Sequence, residues 1–510
     1  MPASLATSCL ALSILSHFGS LPSAIHALFL TLLALVALGL LLRARPGYGW
    51  RGWGLPLFFA LLFLALLAHQ ACWQLSGFGS LGFQKFQRRY DPRPATIART
   101  SDLRGALYDR QGELLSQALP GKRWQLEAPL GPAGLHPLGY ASRTYGLSGL
   151  IRVYDARLCG LPPTTRDDPT ALLRRPEPEN VHLTLDSRLQ RIAYNALKGR
   201  RGAVVALDPR SGDILALVSS PAVDPASESA LGEATRNRAL SPLFNRATQG
   251  LYPPGSVFKI FTAALALECG KAGSYACPPA GWAPALSTKP IRDTHPRPRE
   301  APMHSRRSAF AESSNIWFAK AAMACTWPRF QAAAHRCGLT EASTLAVCGD
   351  RTYATLPGHL PDLSRAPNRV AYLGFGQGDL RLTPMHIAQL TAAIANRGVL
   401  VQPHFEAGQP GASRRLWSEA IAAEVATLMR ASVLEGTSRA VEFDAKRFPV
   451  CGKTGTAETS GRDHAWFTCF APADKPRIVV TVLIENGGFG AAAALPVAKE
   501  ILQAAFAQPR

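Results

Sequence analysis

The chain has 510 residues, of which 47% are hydrophobic and 18% are charged. The charged fraction lies below the ~25% that is usual for soluble globular domains, and residues 1–42 contain no Lys, Arg, Asp or Glu at all. Length, composition and this placement of charge exclude a disordered chain and a fully soluble cytosolic enzyme. They predict a membrane-anchored globular protein.

The sequence carries a formal net charge of +20 at pH 7. Nucleic-acid binding would require Lys and Arg clustered on one element with aromatic residues between them. Here the basic residues are scattered, and the densest stretch, from Arg297 to Arg307, is interrupted by proline. The pattern favours a surface that works near anionic lipid head groups or an anionic polymer, and we expect no nucleic-acid partner.

Two apolar runs in the first 75 residues are long enough to cross a membrane. They extend from Leu21 to Leu42 and from Leu55 to Trp73, and each reaches the ~20 residues that a helix needs to span a ~30 Å hydrocarbon core. A weaker third run, from Leu5 to Phe18, is interrupted by polar residues. Residues 1–75 are therefore predicted to form a membrane anchor of two or three transmembrane helices.

The loop between the two strong runs determines the expected orientation. It contains Arg43, Arg45 and Arg51, and the positive-inside rule places such a loop in the cytoplasm. Everything after about residue 76 is then expected to face the periplasm from the inner membrane. A cleaved signal peptide is the alternative, but the stretch before Cys72 lacks the small–x–small cleavage pattern, which favours a retained anchor.

The exported part divides into three predicted regions. Residues 76–103 are polar and basic with several prolines and read as a linker. Residues 104–180 form a small segment that opens with a strand–turn–strand pattern over Arg104–Gly112. Residues 181–510 form a large domain, in which Ala203–Leu207 and Ile214–Val218 flank a turn sequence that is typical of a β-hairpin.

Apolar spacing predicts several further elements of the large domain. Because strands occur early and late with helices between them, the domain is expected to be α+β, with helices packed on an antiparallel sheet. The predicted helices are Ser187–Lys198, Ser256–Glu268, Thr383–Arg397, Ser418–Leu434 and Pro496–Phe506, and the later predicted strands are Ala465–Phe470 and Arg477–Glu485.

Eight of the ten cysteines follow residue 76, which fits an oxidising location without proving it. Cys269 with Cys277, and Cys337 with Cys348, are close enough in sequence to close small disulfide loops. Unpaired buried thiols are an equally good interpretation. No Cys-x-x-Cys pair or Cys/His zinc spacing occurs, so no metal site is predicted.

Ser256 and Lys259, in Pro253-Pro-Gly-Ser-Val-Phe-Lys259, form the first motif that could carry chemistry. If Ser256 opens a helix, Lys259 lies one turn further on the same face. A serine hydroxyl is a weak nucleophile unless a base removes its proton, and a lysine can be that base when burial or another cation lowers its pKa. Taken alone, the pattern is more typical of a helix cap followed by a surface lysine.

Two further motifs follow, Ser313-Ser-Asn315 and Lys453-Thr-Gly-Thr456. Alone, the first is typical of a capping turn and the second of a loop or an edge-strand turn. The second is not a phosphate loop, because the Gly-x-x-x-x-Gly-Lys pattern is absent. Together and in this order, the three motifs resemble the signature of the penicillin-binding protein and serine β-lactamase superfamily.

Additional motifs narrow the resemblance to class B penicillin-binding proteins, the monofunctional peptidoglycan transpeptidases of cell division and elongation. The resemblance covers about residues 104–510 and implies a penicillin-binding, β-lactamase-like transpeptidase domain after a small pedestal. The motifs are Arg104-Gly, Tyr108-Asp-Arg-x-Gly112, Leu183-Thr-Leu-Asp186 with Gln190, Gly374-Phe-Gly-Gln-Gly378 with Thr383-Pro384, His464-Ala-Trp-Phe467 and Phe470-Ala-Pro472.

The resemblance implies a D,D-transpeptidase that works through a serine acyl-enzyme. Ser256 would attack the penultimate D-alanine carbonyl of a stem peptide, and Lys259 would be the base. Ser313 would relay the proton to the leaving amine, and Asn315 would orient Lys259 and the substrate amide. No metal or organic cofactor is implied.

The strand motif would bind the substrate. Lys453, which together with burial would keep Lys259 partly neutral, would hold the substrate carboxylate with Thr454 and Thr456. Gly455 is expected to belong to the same substrate-binding segment. Backbone N–H groups of Ser256 and Thr456 would form the oxyanion hole.

The implied partners are peptidoglycan stem peptides, β-lactams as inhibitors, and a polytopic membrane glycosyltransferase packed against Leu55–Trp73. The alternatives are a D,D-carboxypeptidase or β-lactamase of the same fold, or a membrane sensor of β-lactams. A sensor would need a cytoplasmic effector, whereas the cytoplasmic loop is only Arg43–Gly54. The retained anchor and the pedestal-like segment favour a synthetic enzyme.

Overall fold

The structure is a computed structural model that describes residues 104–119, 122–160 and 178–507, apart from 286, 288, 297, 299–302, 410 and 443. The predicted anchor (1–75), the linker (76–103) and residues 161–177 of the small segment lie outside the described residues. Within the described ranges, no helix combines the length and the apolar character needed to cross a membrane.

The described chain begins with a small sheet of four strands in the order β3-β2-β1-β6, in which β1 is parallel to β6 and the other pairs are antiparallel. The predicted strand–turn–strand pattern after Arg104 is confirmed by β1 and β2. The elements up to residue 182 are β1 (Leu107–Tyr108), β2 (Leu114–Leu119), β3 (Lys122–Glu127), α1 (Leu135–Leu138), β4 (Ala141–Ser142), β5 (Gly146–Leu147), α2 (Gly149–Val153), α3 (Asp155–Leu158) and β6 (Val181–His182).

The remaining elements form an α+β arrangement, as the sequence predicts. They are α4 (Ser187–Ala196), β7 (Gly202–Leu207), β8 (Ile214–Ser220), α5 (Glu228–Arg236), α6 (Lys259–Glu268), β9 (Tyr275–Ala276), β10 (Met303–His304), α7 (Arg306–Ala311), α8 (Asn315–Cys325), α9 (Trp327–Arg336), β11 (Thr344–Cys348), β12 (Arg351–Ala354), α10 (Val370–Leu373), α11 (Pro384–Ala395), β13 (Val399–Val401), β14 (Ser413–Arg415), α12 (Glu419–Leu434), β15 (Cys451–Ala457), β16 (His464–Ala471), β17 (Ile478–Ile484), α13 (Gly490–Ala493) and α14 (Leu495–Phe506).

A five-stranded antiparallel sheet in the order β15-β16-β17-β7-β8 supports this part of the molecule. Every residue of β17 is buried, which explains why all of them except Thr481 are apolar, because both faces of the strand are covered. Strand β15 lies at the edge, and its register pairs Lys453 with Thr468 and Gly455 with Trp466. The free side of β15 therefore offers backbone groups to a ligand or to a neighbouring helix.

Alternate residues of the sheet belong to two separate apolar cores. Val480, Val482 and Phe467 pack with helices α4 and α14 on one face. Val479 and Leu483 face the larger helical core on the other side, which includes α6, α8 and α11. Side chains alternate between the two faces of each strand, and each face packs against helices, so the sheet lies between two helical layers.

Capping residues define several helix starts that the sequence indicates. Thr383 accepts a hydrogen bond from the His386 N–H at the start of α11, and Ser418 accepts one from the Ile421 N–H at the start of α12. The predicted helix Ser256–Glu268 is wrong at its start, because Ser256 does not open an α-helix. It lies in a 3₁₀ turn, Gly255–Phe258, and α6 begins at Lys259.

The two small-loop disulfides that the sequence allows are absent from the structure. Cys269, Cys337 and Cys348 are present as thiols, so neither Cys269–Cys277 nor Cys337–Cys348 is bonded.

Candidate active site

Ser256 is held in its 3₁₀ turn by two glycines that allow close backbone contacts. Gly255 has φ +55°, and a Cβ there would lie 2.5 Å from the Thr456 carbonyl oxygen. The Gly255 N–H donates to the Gly376 carbonyl oxygen at 2.9 Å, and a Cβ on Gly376 would come within 2.1 Å of the Gly255 oxygen. The turn is thereby fixed between the edge strand and the Gly374–Gly378 loop, with Ser256 itself half-buried.

Lys259, the first residue of α6, has a fully buried side chain. Its Nζ donates to the Ser313 carbonyl oxygen at 2.7 Å, to Ser313 Oγ at 3.1 Å and to Asn315 Oδ1 at 2.8 Å. Burial, followed by the nearby positive charge of Lys453, lowers the pKa of Lys259 well below its usual value. A buried amine with a depressed pKa can accept a proton near neutral pH.

Ser313 lies between two buried amines. Its Oγ accepts a hydrogen bond from Lys259 Nζ at 3.1 Å and from Lys453 Nζ at 2.9 Å. The residue has φ +61°, in the left-handed region that non-glycine residues seldom adopt. This conformation turns both the carbonyl and the hydroxyl of one residue toward Lys259, so a proton can pass along a continuous path of hydrogen bonds.

Lys453 is fully buried on edge strand β15 and also donates to the Thr454 carbonyl oxygen at 3.1 Å. Burial lowers its pKa to about 7. The neighbouring Thr454 Oγ1 is 2.6 Å from Thr437 Oγ1, while Thr456 is half-buried. A Cβ on Gly455 would lie 3.0 Å from Val257 Cγ1, so the strand approaches the Ser256 turn closely at this position.

Asn315 is positioned by residues that sequence reasoning missed. Its Nδ2 donates to the Arg292 carbonyl oxygen at 3.0 Å. The Asp293 carboxylate accepts from the Ser314 hydroxyl at 2.8 Å and from the Ile316 N–H at 2.9 Å. Asp293 therefore holds the start of α8 in place, although no local sequence signal connects it with the Ser313–Asn315 motif.

Cys277, Asp293 and His304 bring potential ligand atoms within 4.8 Å of one another. A thiolate, a carboxylate and an imidazole are donors that Zn²⁺ accepts, so these are the described residues that could hold a metal ion. Their sequence spacing matches no recognised zinc pattern, which is why the sequence predicts no such cluster. The Ser314 hydroxyl, 3.6 Å from Cys277 Sγ, links the cluster to the Ser313–Asn315 motif.

The structure thus joins Lys259, Ser313, Asn315 and Lys453 in one hydrogen-bond network. It also places the Ser256 turn against Gly455 and Thr456 of the edge strand, an arrangement that suits a serine acyltransferase. Ser256 and Lys259 come from one segment, Ser313 and Asn315 from a second, and Lys453–Thr456 from the edge strand. His464 makes structural contacts: its Nδ1 accepts a hydrogen bond from the Asn486 N–H at 3.0 Å, and its ring packs edge-on against the ring of Tyr252.

Comparison with known proteins identifies the family. The model of the penicillin-binding protein transpeptidase domain matches residues 202–504. Peptidoglycan D,D-transpeptidase PbpA of Mycolicibacterium smegmatis is 32% identical over 432 residues, which are 75% of this chain and 83% of that protein. Peptidoglycan D,D-transpeptidase MrdA of Haemophilus influenzae is 30% identical over 366 residues, 64% of this chain and 56% of that protein.

Solved structures agree with this comparison. The ceftriaxone acyl-enzyme complex of penicillin-binding protein A from M. tuberculosis matches with a TM-score of 0.69 and 29% identity, over 79% of this chain and 98% of that one. Pseudomonas aeruginosa PBP2 in complex with WCK 5153 matches with a TM-score of 0.67 and 30% identity, over 80% and 97%. The chain belongs to the penicillin-binding protein transpeptidase family, in its class B branch.

Proposed function

We propose that this chain is a peptidoglycan D,D-transpeptidase that cross-links stem peptides through an acyl-enzyme on Ser256. The observation that carries the assignment is the Ser313 hydroxyl, which two fully buried lysine amines approach at 3.1 Å and 2.9 Å. Such an arrangement supplies a neutral base and a cation within one hydrogen-bond network.

The acylation step follows from the hydrogen bonds of Lys259. A neutral amine has two N–H groups and one lone pair. The Ser313 carbonyl oxygen and Asn315 Oδ1 can only accept, so they take both N–H groups. In this neutral state Lys259 no longer donates to Ser313 Oγ, so its lone pair is left for a hydroxyl proton. Lys259 removes that of Ser256 as the serine oxygen attacks the penultimate D-alanine carbonyl. The same proton returns through Ser313 to the leaving amine, and terminal D-alanine departs.

The edge strand binds the donor peptide in this mechanism. Lys453, when charged, pairs with the terminal carboxylate, and the hydroxyls of Thr454 and Thr456 donate hydrogen bonds to it. The backbone N–H groups of Ser256 and Thr456 stabilise the oxyanion. Gly255 and Gly455 permit the close approach of turn and strand that these two N–H groups need.

An amine from a neighbouring stem peptide completes the reaction by attacking the acyl carbonyl, with Lys259 again as the base. The test is to give the purified chain a polymerised lipid-linked precursor and to analyse the products by mass spectrometry. Cross-linked dimers that require Ser256 are expected. Release of D-alanine without cross-links would show a carboxypeptidase, and rapid destruction of penicillin would show a β-lactamase.

The proposal extends to location and partner. The apolar runs and the arginines between them support an inner-membrane anchor with the catalytic domain in the periplasm. A polytopic glycosyltransferase packed against Leu55–Trp73 would supply fresh glycan strands. A periplasm-active reporter should be active when fused after residue 80 and inactive when inserted near Gly47, whereas the reverse pattern would refute this orientation.

A further inference from the structure

Helices α6 and α8 lie side by side and run in the same direction. Each begins with a catalytic residue, and Lys259 Nζ at the start of α6 is 2.8 Å from Asn315 Oδ1 at the start of α8. At the other end, Cys325 is the last residue of α8, and its Sγ lies 3.8 Å from the Leu265 carbonyl oxygen in the last turns of α6.

A second cysteine meets Cys325 at this end. Cys269 directly follows α6, and its N–H donates to the same Leu265 oxygen at 2.9 Å. The two cysteines therefore share the Leu265 carbonyl oxygen as a neighbour, and, after burial, the nearby Cys269 thiol raises the pKa of the Cys325 thiol. Both residues are thiols in the structure; Cys325 is buried and Cys269 is half-buried.

Cys451 and Cys469 provide a contrast on adjacent strands of the sheet. The register pairs Cys451 with Phe470 and Gly452 with Cys469, so the two thiols project from opposite faces. They also belong to different apolar cores. Cys451 and Cys469 therefore cannot bond although their strands are neighbours, whereas Cys269 and Cys325 both lie against the Leu265 carbonyl oxygen.

We propose that Cys269 and Cys325 form a disulfide bond when the chain meets an oxidising compartment, tying together the C-terminal ends of α6 and α8. This modification goes beyond the transpeptidase function and differs from the two pairings that sequence spacing suggests. Residues 269 and 325 are far apart in sequence, and only the parallel packing of two helices brings them together.

The oxidant is a disulfide, either of a protein oxidase or of glutathione. The half-buried Cys269 is accessible, and its thiolate attacks one sulfur of the oxidant and releases one thiol. Cys325 then loses its proton and attacks Cys269 Sγ, releasing the second thiol. Two protein S–H bonds and the S–S bond of the oxidant are replaced by one protein S–S bond and two S–H bonds on the reduced oxidant.

The bond is expected to stabilise the fold and to leave the chemistry nearly unchanged. It closes a loop that contains Asp293, Ser313 and Asn315, and it restricts this loop in the unfolded chain. It lies about 15 Å from the catalytic amines, the length of a ten-residue helix. The melting temperature should rise by about 2–8 °C, and the second-order rate constant for penicillin acylation should change by less than about twofold.

The experiment uses the reduced full-length protein in detergent, incubated folded with oxidised glutathione. Remaining thiols are alkylated in denaturant, and the digest is mapped by mass spectrometry. We expect a peptide pair joined through Cys269 and Cys325, the rise in melting temperature, and loss of both in Cys269→Ser and, separately, in Cys325→Ala. Cys469→Ala is the matched control and should retain the linkage.

Labelling with a reporter penicillin, read in the same sample, keeps this proposal separate from that of transpeptidation. Protein that still labels but carries alkyl groups on both Cys269 and Cys325 would refute the disulfide. A stable glutathione adduct on Cys269, or a linkage from Cys269 to another cysteine, would refute it equally. A mapped Cys269–Cys325 bond in protein that does not label would support the disulfide and count against the catalytic assignment.

Discussion

The two buried lysines should give penicillin acylation a bell-shaped dependence on pH. The proposed mechanism needs Lys259 neutral, to take the proton of Ser256, and Lys453 charged, to bind the substrate carboxylate. Burial lowers the pKa of both amines, to about 7 for Lys453, while burial and the charge of Lys453 lower that of Lys259 well below its usual value. The second-order rate constant should rise with pH as Lys259 loses its proton and fall as Lys453 does.

The size of the fall can be derived from the interaction that is lost. Deprotonation of Lys453 removes a charged hydrogen bond to the carboxylate, and such bonds contribute about 1.5–3 kcal/mol. The rate constant should therefore decrease by about 10- to 150-fold above pH 7 and then level off. Bound carboxylate favours the charged amine, so at saturating substrate the falling limb should move to higher pH.

The assay is stopped-flow acylation by a fluorescent penicillin from pH 5 to pH 10, with the full-length protein in detergent. Lys453→Met should lower the rate constant and abolish the falling limb, because the titrating amine is gone. Lys475→Met, which removes an exposed lysine between β16 and β17, should leave the bell unchanged. A falling limb that persists in Lys453→Met would refute the assignment of that limb to Lys453.

Further predictions concern the nucleophile, its base and their supports. Ser256→Ala should abolish penicillin labelling with an unchanged melting temperature, and undiminished labelling of this variant would refute Ser256 as the nucleophile. Lys259→Ala should slow acylation by about 10²–10⁴-fold or more. Asp293→Ala leaves the N–H of Ile316 without its 2.9 Å acceptor and should lower the free energy of unfolding by about 1–3 kcal/mol in urea titrations; an unchanged midpoint would contradict this role. Gly455→Ala should cost about 1–3 kcal/mol by overpacking against Val257 and should slow acylation. Gly461→Ala should do neither, because a Cβ there would make only an ordinary contact with Thr459 Oγ1 at 3.9 Å; equal effects of the two variants would contradict the close approach.

The sequence predicts those helices and strands whose capping residues and apolar spacing lie within the element itself. Thr383 and Ser418 precede apolar helical spacing and do cap α11 and α12, because a side-chain oxygen satisfies an N–H of the first turn wherever it occurs. The apolar residues between Arg477 and Glu485 likewise predict a strand, and the structure shows that both faces of this strand, β17, are covered. The three motifs predict the members of the active site, because their residue types and order are specific to one family.

Other features depend on contacts between distant segments and have no local signal. Asp293 is connected to Ser314 and Ile316 only by the folded structure. Ser256 lies in a 3₁₀ turn because Gly255 must meet both Gly376 and the edge strand, a constraint that apolar spacing cannot reveal. Cysteine spacing suggests two small loops, whereas the structure places Cys269 and Cys325 against the same Leu265 carbonyl oxygen, at the ends of two parallel helices.

The strained conformation of Ser313 illustrates why such features persist. A non-glycine residue at φ +61° costs about 1–3 kcal/mol, and glycine would avoid this cost but would lack the hydroxyl. The N–H of Ser314 donates to the Ala309 carbonyl oxygen at 2.8 Å, and the Ser314 hydroxyl accepts from the Trp317 N–H, so the neighbouring residue holds the turn. The conformation directs the carbonyl and Oγ of Ser313 to one amine and the same Oγ to a second. The strain is therefore the cost of placing one hydroxyl between two buried amines, which is the arrangement that the proposed proton transfer to the leaving group requires.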